Sequence, residues 1–169
     1  GTWNILESAR QVDTERVIIA SSDKAYGIHG ELPYEETTCL KASHPYDVSK
    51  ACADLIAQSY YKTYKLNVGI TRCGNLYGGG DFNFSRIIPG TIKSLLNDEI
   101  PIIRSDGKYI RDYFYVKDAV NSYLMLAEKL MKHGISGEAF NFGTEKPVSV
   151  LEVVDMLIEI SGKKNITKK

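Results

Sequence analysis

A tyrosine and a lysine near the start of a predicted helix have the spacing needed to take a proton from a hydroxyl group. Tyr46 and Lys50 are four residues apart, so they share one face of that helix. A nearby lysine ammonium favours the phenolate and lowers the pKa of a tyrosine from its ordinary value of about 10. The pair can then remove a hydroxyl proton while hydride leaves the same carbon. The alternative is that Tyr46 packs and Lys50 is solvated, and Tyr61 and Lys65 repeat the same spacing.

Alternating helices and strands surround this pair. Apolar periodicity and helix-starting residues predict helices over residues 2–11, 45–65, 85–96, 118–132 and 149–160. Short β-branched and apolar runs predict strands at residues 16–20, 67–72 and 140–142, and short strands within 100–116 around a turn at Asp106 and Gly107. The pattern predicts an α/β domain with a parallel sheet. Ligands of such sheets bind at the carboxyl ends of strands, so we expect the loops 21–30 and 73–84 to converge on one site.

Two finer details of the helices are also predicted. In the long helix that begins at Pro45, the residues Ala51, Leu55, Ile56 and Ser59 are expected to form the inner face. Asp118 is expected to cap the helix that it begins. Both details bear on how the helices pack against the sheet.

The amino-acid composition excludes several classes of function. The 169 residues suffice for one domain, and 21 basic residues balance 21 acidic ones. A nucleic-acid-binding surface usually has a basic excess, so no nucleic-acid partner is expected. No apolar run approaches the roughly 20 residues of a membrane helix, and no secretory signal is recognisable. Three cysteines without C-x-x-C spacing predict reduced thiols, no metal site and a cytoplasmic protein.

Six segments together resemble the extended short-chain dehydrogenase/reductase family, the NAD-dependent epimerases and dehydratases of nucleotide sugars. The segment around Tyr46 resembles the family signature P-Y-x-x-S-K-x-x-x-E/D, and the others follow in the family's order. They are GTWNILE (1–7), VIIASSDKAYG (17–27), HPYDVSKACAD (44–54), TRCGNLYGGGD (71–81), IRDYFYVKDAV (110–120) and FNFG (140–143). The resemblance covers nearly the whole chain and implies a Rossmann-like parallel sheet.

The resemblance also implies roles for individual residues. Tyr46 and Lys50 would be catalytic and would contact NAD, with Ser22 bound to the sugar hydroxyl beside Tyr46. Ser21 and Cys73 would also lie against the cofactor. The implied substrate-binding residues are Asn75, Arg111 and Asn141, with the Arg111 guanidinium on the diphosphate. For Arg111 the alternative is an ordinary surface ion pair with Asp112 or Asp118.

The residues Ser22, Asp23 and Lys24 bear on the subfamily. Nucleotide-sugar 4,6-dehydratases carry an acid and a base at this place, and the CDP-glucose type carries Ser-Asp-Lys, as this chain does. Residues 78–89 (GGGDFNFSRIIP) also resemble that type, whereas IRDYFYVKD is closer to the general epimerase/dehydratase pattern. In such a dehydratase Asp23 would be the acid that expels water and Lys24 the base that takes the C5 proton. The alternative is that both are solvated turn residues.

The glycine-rich loop that holds the NAD pyrophosphate in this family has no counterpart in the 169 residues. The chain is therefore expected to be a fragment, inactive by itself and weak in binding NAD. Residues 1–75 would be part of the NAD-binding domain, and 76–169 mostly a small α/β substrate-binding lobe interleaved with it. The expected parent is a homodimeric 4,6-dehydratase acting on a nucleotide-diphosphate sugar. A 4-epimerase and a non-catalytic module with the same fold are the alternatives.

Overall fold

The computed structural model describes residues 1–30, 32–163 and 165, which divide into two compact units. The first unit comprises Gly1–Gly74 and Lys117–Phe142, and the second comprises Asn75–Val116 and the described residues from Gly143 onward. The helices of the described residues are α1 (Thr2–Gln11), α2 (Pro45–Tyr64), α3 (Ile87–Leu96), α4 (Val116–Lys129) and α5 (Val150–Ser161). The strands are β1 (Val17–Ala20), β2 (Val68–Cys73), β3 (Asn75–Tyr77), β4 (Ile110–Arg111), β5 (Tyr113–Tyr115), β6 (Ala139–Phe142) and β7 (Val148–Ser149). A 3-10 turn spans Asp23–Tyr26.

A parallel sheet organises the first unit, as the sequence predicts for an α/β fold. Its strand order is β1-β2-β6, with Ala20 beside Thr71 and Cys73 beside Phe142. Because the three strands run in the same direction, their carboxyl ends form one edge of the sheet. The chain segments that follow β1 and β2 therefore start from neighbouring positions.

Helices cover both faces of this sheet. Every residue of the central strand β2 is buried, and alternate side chains point to opposite faces. Val68 and Ile70 pack with α1 and α2 in a core that also contains Leu6. On the opposite face, Thr71 donates a hydrogen bond to Tyr123 of α4. A strand that is buried on both faces has mainly apolar residues, which is why β2 is predictable from sequence. The residues of β1 are part-buried or exposed, but its β-branched run still marks a strand.

The helix α2 begins where the sequence predicts. Pro45 occupies its first turn, a position where the missing N–H costs no helical hydrogen bond. The predicted inner face is only partly right, because Ala51 is buried but Leu55 is 55% exposed and Ser59 is exposed as well. Asp54 and Ala57 are buried in their place. The face of α2 that packs on the sheet therefore includes a charged side chain, which pairs with Arg72 of β2.

The second unit has two small sheets. One pairs β3 with β5 in parallel, and the other pairs β4 with β7 in antiparallel orientation. The helix α3 packs against α5. At the start of α5, Ser149 accepts a hydrogen bond from the N–H of Glu152, whose carboxylate accepts one from the N–H of Ser149. This reciprocal cap fixes the start of α5 within a residue of its predicted position.

Three local predictions are corrected by the structure. Residues 75–77, expected to be loop, form β3, which at three residues is too short to show a periodic pattern. Helix α4 begins at Val116, so Asp118 lies in its first turn rather than at its cap. A carboxylate there still interacts favourably with the helix dipole. Residues 100–109 contain no strand, although Gly107 has the positive φ of +72° that fits the predicted turn.

Candidate active site

The segment after β1 carries three of the predicted catalytic residues. Ser22 caps the turn Asp23–Tyr26, because its Oγ accepts a hydrogen bond from the Lys24 N–H at 3.3 Å. The same hydroxyl donates to Asp23 Oδ1 at 3.1 Å. The turn packs against α2 and β2. One short segment therefore presents a hydroxyl, a carboxylate and an ammonium at the carboxyl edge of the sheet.

Asp23 and Lys24 form an ion pair. The Lys24 Nζ donates a hydrogen bond to Asp23 Oδ2 at 2.7 Å, and the two side chains are 32% and 27% exposed for Lys24 and Asp23. Both are turn residues that are part-buried and paired with each other, and their catalytic roles remain a prediction. A proton can pass directly from one group to the other through a single hydrogen bond.

Tyr46 and Lys50 lie in the first turns of α2. The Lys50 Nζ donates to the Ala20 carbonyl at 2.9 Å and lies 5.8 Å from the centre of the Tyr46 ring. Ser21 Oγ donates to the Lys50 carbonyl at 3.3 Å, so two hydrogen bonds tie the start of α2 to the end of β1. Tyr46 is 58% exposed, and its hydroxyl has no hydrogen-bond partner within the described part of the chain. The phenol is therefore accessible to a substrate while the lysine beside it is anchored.

The second Tyr-x-x-x-Lys spacing lies at the opposite end of the same helix. The Tyr61 ring packs against Gly137, where an added Cβ would lie 2.1 Å from the ring. Lys65 is the residue that ends α2, with a φ of +59°. Gly137 precedes β6, so this pair belongs to the amino-terminal edge of the sheet. Ligands of parallel sheets bind at the other edge, which favours Tyr46 over Tyr61.

Cys73 ends β2 with its side chain on the α4 face. Its thiol donates a long hydrogen bond of 3.9 Å to the Tyr123 hydroxyl. Burial raises the pKa of the Cys73 thiol, and the nearby charge of Asp23 also acts in this direction. A thiol with a raised pKa remains protonated near neutral pH and is a poor nucleophile. Contact between Cys73 and the cofactor remains a prediction.

A buried polar network behind the turn was not predicted from the sequence. Arg72 of β2 is 4% exposed and makes a two-pronged ion pair with the fully buried Asp54 of α2. Tyr26, also fully buried, donates to Asn141 Oδ1 of β6 at 2.7 Å. Asn141 Nδ2 in turn donates to the Tyr34 carbonyl at 2.9 Å. Both ends of the Asn141 amide are thus bound within the protein, and its predicted contact with substrate remains a prediction.

The other predicted substrate residues belong to the second unit. Asn75 opens β3, and its N–H donates to the Asp112 carbonyl at 2.8 Å. Arg111 lies in β4 with its guanidinium 5.4 Å from the centre of the Tyr109 ring. Its expected alternative, an ion pair with Asp112 or Asp118, is not found among the described residues. The Asp112 carboxylate instead accepts hydrogen bonds from Thr144. Arg111 Nη1 donates to the Ile110 carbonyl at 2.9 Å, and the other donors of its guanidinium remain for an anion.

An apolar groove of about 490 Å³ lies within the second unit. The loop that follows β3 forms one wall, with Gly79 and Phe82, and α3 forms the other, with Ile88 and Ile92. Its lining is mostly apolar, so the groove does not fit a phosphate group. The three consecutive glycines at 78–80, which lack the spacing of a dinucleotide loop, contribute to this wall.

Among the residues that the structure describes, no cluster of three or more His, Cys, Asp or Glu side chains could hold a metal ion. None of the helices in that part of the chain is both long and apolar enough to cross a membrane.

Comparison with known proteins finds a matching family model and relatives named as nucleotide-sugar dehydratases. The family model "NAD dependent epimerase/dehydratase family" matches residues 1–143. A dTDP-D-glucose 4,6-dehydratase of Dictyostelium discoideum is 34% identical over 95% of this chain and 38% of its own length. A CDP-glucose 4,6-dehydratase of Salmonella typhimurium is 30% identical over 96% of this chain and 49% of its own length. The chain spans about half the length of the curated relatives it matches, or less.

A solved structure gives the same result for the fold. The dTDP-glucose 4,6-dehydratase of Bacillus anthracis, determined in complex with NAD, superposes with a TM-score of 0.88 at 32% sequence identity. The match covers 99% of this chain and 54% of that one. The Rossmann-like fold class predicted from the sequence is thus confirmed. With a family match over most of its residues and relatives above 30% identity, the chain belongs to the NAD-dependent epimerase/dehydratase family.

Proposed function

We propose that the protein carrying this chain is an NAD-dependent nucleotide-sugar 4,6-dehydratase. Family membership alone allows an epimerase as well, so the choice depends on the residues beside Tyr46. The observation that carries it is the ion pair between Asp23 and Lys24, 2.7 Å apart at the sheet edge where Tyr46 and Lys50 also lie. Epimerisation at C4 needs no acid and base besides the tyrosine, whereas elimination of water needs both.

The donors at the sheet edge fit a nicotinamide ribose. The Lys50 ammonium uses one donor on the Ala20 carbonyl and keeps two, and the Tyr46 hydroxyl is exposed. Ser21 directly follows β1 and Cys73 ends β2, so both lie at the edge of the sheet that such a cofactor would contact. NAD, when bound, would supply the hydride acceptor for C4 and return the hydride at C6.

The chain's own residues account for the proton transfers. Ser22 would hold the C4 hydroxyl while Tyr46, whose exposed phenol lies beside the Lys50 ammonium, takes the hydroxyl proton. A C4 ketone makes the C5 proton acidic, and Lys24 would remove it. Asp23 would protonate the departing C6 hydroxyl. In the ion pair Lys24 is an ammonium and Asp23 a carboxylate, so one proton would first move from Lys24 to Asp23 along their direct hydrogen bond. The neutral Lys24 amine would then take the C5 proton, and the Asp23 carboxylic acid would give its proton to the leaving oxygen, which restores the ion pair.

The substrate would be a nucleotide-diphosphate sugar. Arg111 would bind its diphosphate through a planar fork of donors, and Asn75 and Asn141 remain the other proposed contacts. Residues 1–75 would then serve mainly the cofactor and 76–169 mainly the substrate. Cytoplasmic location is also proposed, since Cys39 and Cys52 are exposed free thiols that a reducing compartment preserves. A homodimer is proposed from the family resemblance.

Variants of Asp23 and Lys24 in the full-length protein test the dehydratase proposal. Lys24→Ala and Asp23→Asn should block elimination and spare C4 oxidation, because oxidation depends on Tyr46 and Lys50. Absorbance of enzyme-bound NADH should therefore accumulate without release of a 4-keto-6-deoxy product. Lys62→Ala, which removes an exposed lysine from the last turn of α2, is the matched control. Full activity in both variants, or inversion of C4 without loss of water by the wild type, would leave the epimerase as the better proposal.

A further inference from the structure

One guanidinium connects the elements that carry the two halves of the proposed active site. Arg72 of β2 donates from Nε to Asp54 Oδ2 at 2.8 Å and from Nη2 to Asp54 Oδ1 at 3.0 Å. Its Nη1 donates to the Tyr26 hydroxyl and to the Glu36 carbonyl, both at 2.9 Å. Every nitrogen of this buried side chain is therefore used, and each bond has a fixed direction.

The Asp54 end of this network fixes the helix of the catalytic tyrosine. Asp54 lies four residues after Lys50 and eight after Tyr46, on the same side of α2. Its carboxylate is fully buried and also accepts a hydrogen bond from Gln58 at 2.7 Å. The bidentate pair with Arg72 thus sets the height and rotation of α2 relative to β2.

The Tyr26 end of the network fixes the turn that carries Asp23 and Lys24. Tyr26 is the last residue of that turn, and its hydroxyl accepts from Arg72 while donating to Asn141. Burial raises the pKa of Tyr26, so the hydroxyl keeps the proton that this donation needs. Its ring stacks on Tyr34 with centroids 4.8 Å apart. A four-residue 3-10 turn has weak hydrogen-bond geometry of its own, so these contacts decide its position.

We propose that Arg72 and Tyr26 are positioning residues that hold the Asp23–Lys24 turn in register with the Tyr46–Lys50 helix. This inference rests on the proposed function for its catalytic meaning, although the positioning itself does not depend on any substrate. Neither side chain is placed to touch a substrate, because Tyr26 is fully buried and Arg72 is 4% exposed. They set the position of Asp23 and Lys24, the residues proposed for elimination, relative to Tyr46, the residue proposed for oxidation.

Hydrogen exchange tests the positioning without substrate or cofactor. Tyr26→Phe removes only the hydroxyl and keeps the ring stacked on Tyr34. The amides of residues 22–27 should then exchange about tenfold faster relative to those of β2, since the turn loses both directed bonds of its last residue. Tyr60→Phe is the matched control, because it removes a buried hydroxyl bound to Glu7 outside this network. In that variant the ratio of turn to β2 exchange should stay as in the wild type.

A second variant tests whether faster exchange comes from loss of the network or simply from loss of a buried hydroxyl. Arg72→Lys keeps a cation opposite Asp54 but cannot serve the carboxylate and the Tyr26 hydroxyl together. It should raise turn exchange in the same way as Tyr26→Phe. If the amides of residues 22–27 exchange no faster relative to those of β2 than in the wild type, in both variants, the proposal is wrong.

The catalytic consequence is measured in the full-length protein, as the rate of water elimination relative to the rate of C4 oxidation. With a nucleotide-diphosphate glucose, Tyr26→Phe should lower elimination by ten- to a hundredfold, roughly the cost of an ångström-scale misplacement. Oxidation at C4 should change little, so bound NADH accumulates, and Tyr60→Phe should keep the wild-type partition. An unchanged partition in Tyr26→Phe would refute the catalytic role. A wild-type protein that never oxidises the sugar would defeat the proposed function, while the exchange measurement would still decide the positioning.

Discussion

The ion pair between Arg72 and Asp54 should dominate the stability of the first unit. Its side chains are 3% and 0% exposed, so removing either partner leaves the other charge buried without compensation. Burial by itself would lower the pKa of the Arg72 guanidinium, yet hydrogen bonds to Asp54 and Tyr26 raise it above the ordinary value. Arg72→Met removes two bonds to the carboxylate and one each to Tyr26 and Glu36. Such a loss typically costs about 3–5 kcal/mol, a large fraction of the 5–15 kcal/mol that stabilises a typical domain.

Urea unfolding of the chain, followed by circular dichroism, measures this cost. Arg72→Met and Asp54→Leu should each destabilise strongly, whereas the double variant should be less destabilised than the sum because no charge is left alone. Arg10→Met removes the partner of Glu7 in a solvent-accessible pair and should have a far smaller effect. Costs that simply add in the double variant, or a loss below about 1 kcal/mol in Arg72→Met, would refute the reasoning.

Two further outcomes are expected. Tyr46→Phe, in the protein as encoded, should lower turnover by about 100- to 10,000-fold because it removes the base, while circular dichroism stays unchanged. Turnover within a few-fold of the wild type would exclude Tyr46 as the base. The second outcome concerns pH: a hydrogen bond from Arg10 is the main cause that lowers the pKa of Glu7 from 4.5 to about 2. A depressed folded-state pKa gives stability that is present above pH 4.5 and is lost as pH falls towards 2, so acid unfolding of Glu7→Gln should show a smaller loss across this window. Identical acid profiles for the two proteins would contradict that assignment.

Sequence patterns were sufficient to predict the helices and strands that bury a whole face. Strand β2 begins with the apolar run of Val68 to Ile70 because helices cover both of its sides, and α2 begins at a proline that suits a first turn. Strand β3 was missed because its three residues pair with β5, a partner almost forty positions away in the chain. Pairings of this kind leave no local periodicity to detect.

The buried network was missed for a different reason. Charged residues are mostly exposed, so Arg72 and Asp54 attract no attention in a composition or periodicity argument. Their letters do occur in the segments that resemble the family, as the arginine of T-R and the acid of the helix signature. The ion pair between the two residues is visible only in the fold, where Arg72 Nε lies 2.8 Å from Asp54 Oδ2.

Directional contacts behind the Asp23–Lys24 turn solve a problem that apolar packing cannot. Hydrophobic burial has little directional preference, so a short turn held only by apolar contacts can shift and rotate at small cost. An acid and a base that act on adjacent carbons need placement to within about 0.5 Å. The bonds among Arg72, Asp54 and Tyr26 have fixed lengths and angles, and they join α2, β2 and the turn in one arrangement. Burying two charges is expensive for a fold, but here the same charges determine where the proposed acid and base lie relative to Tyr46.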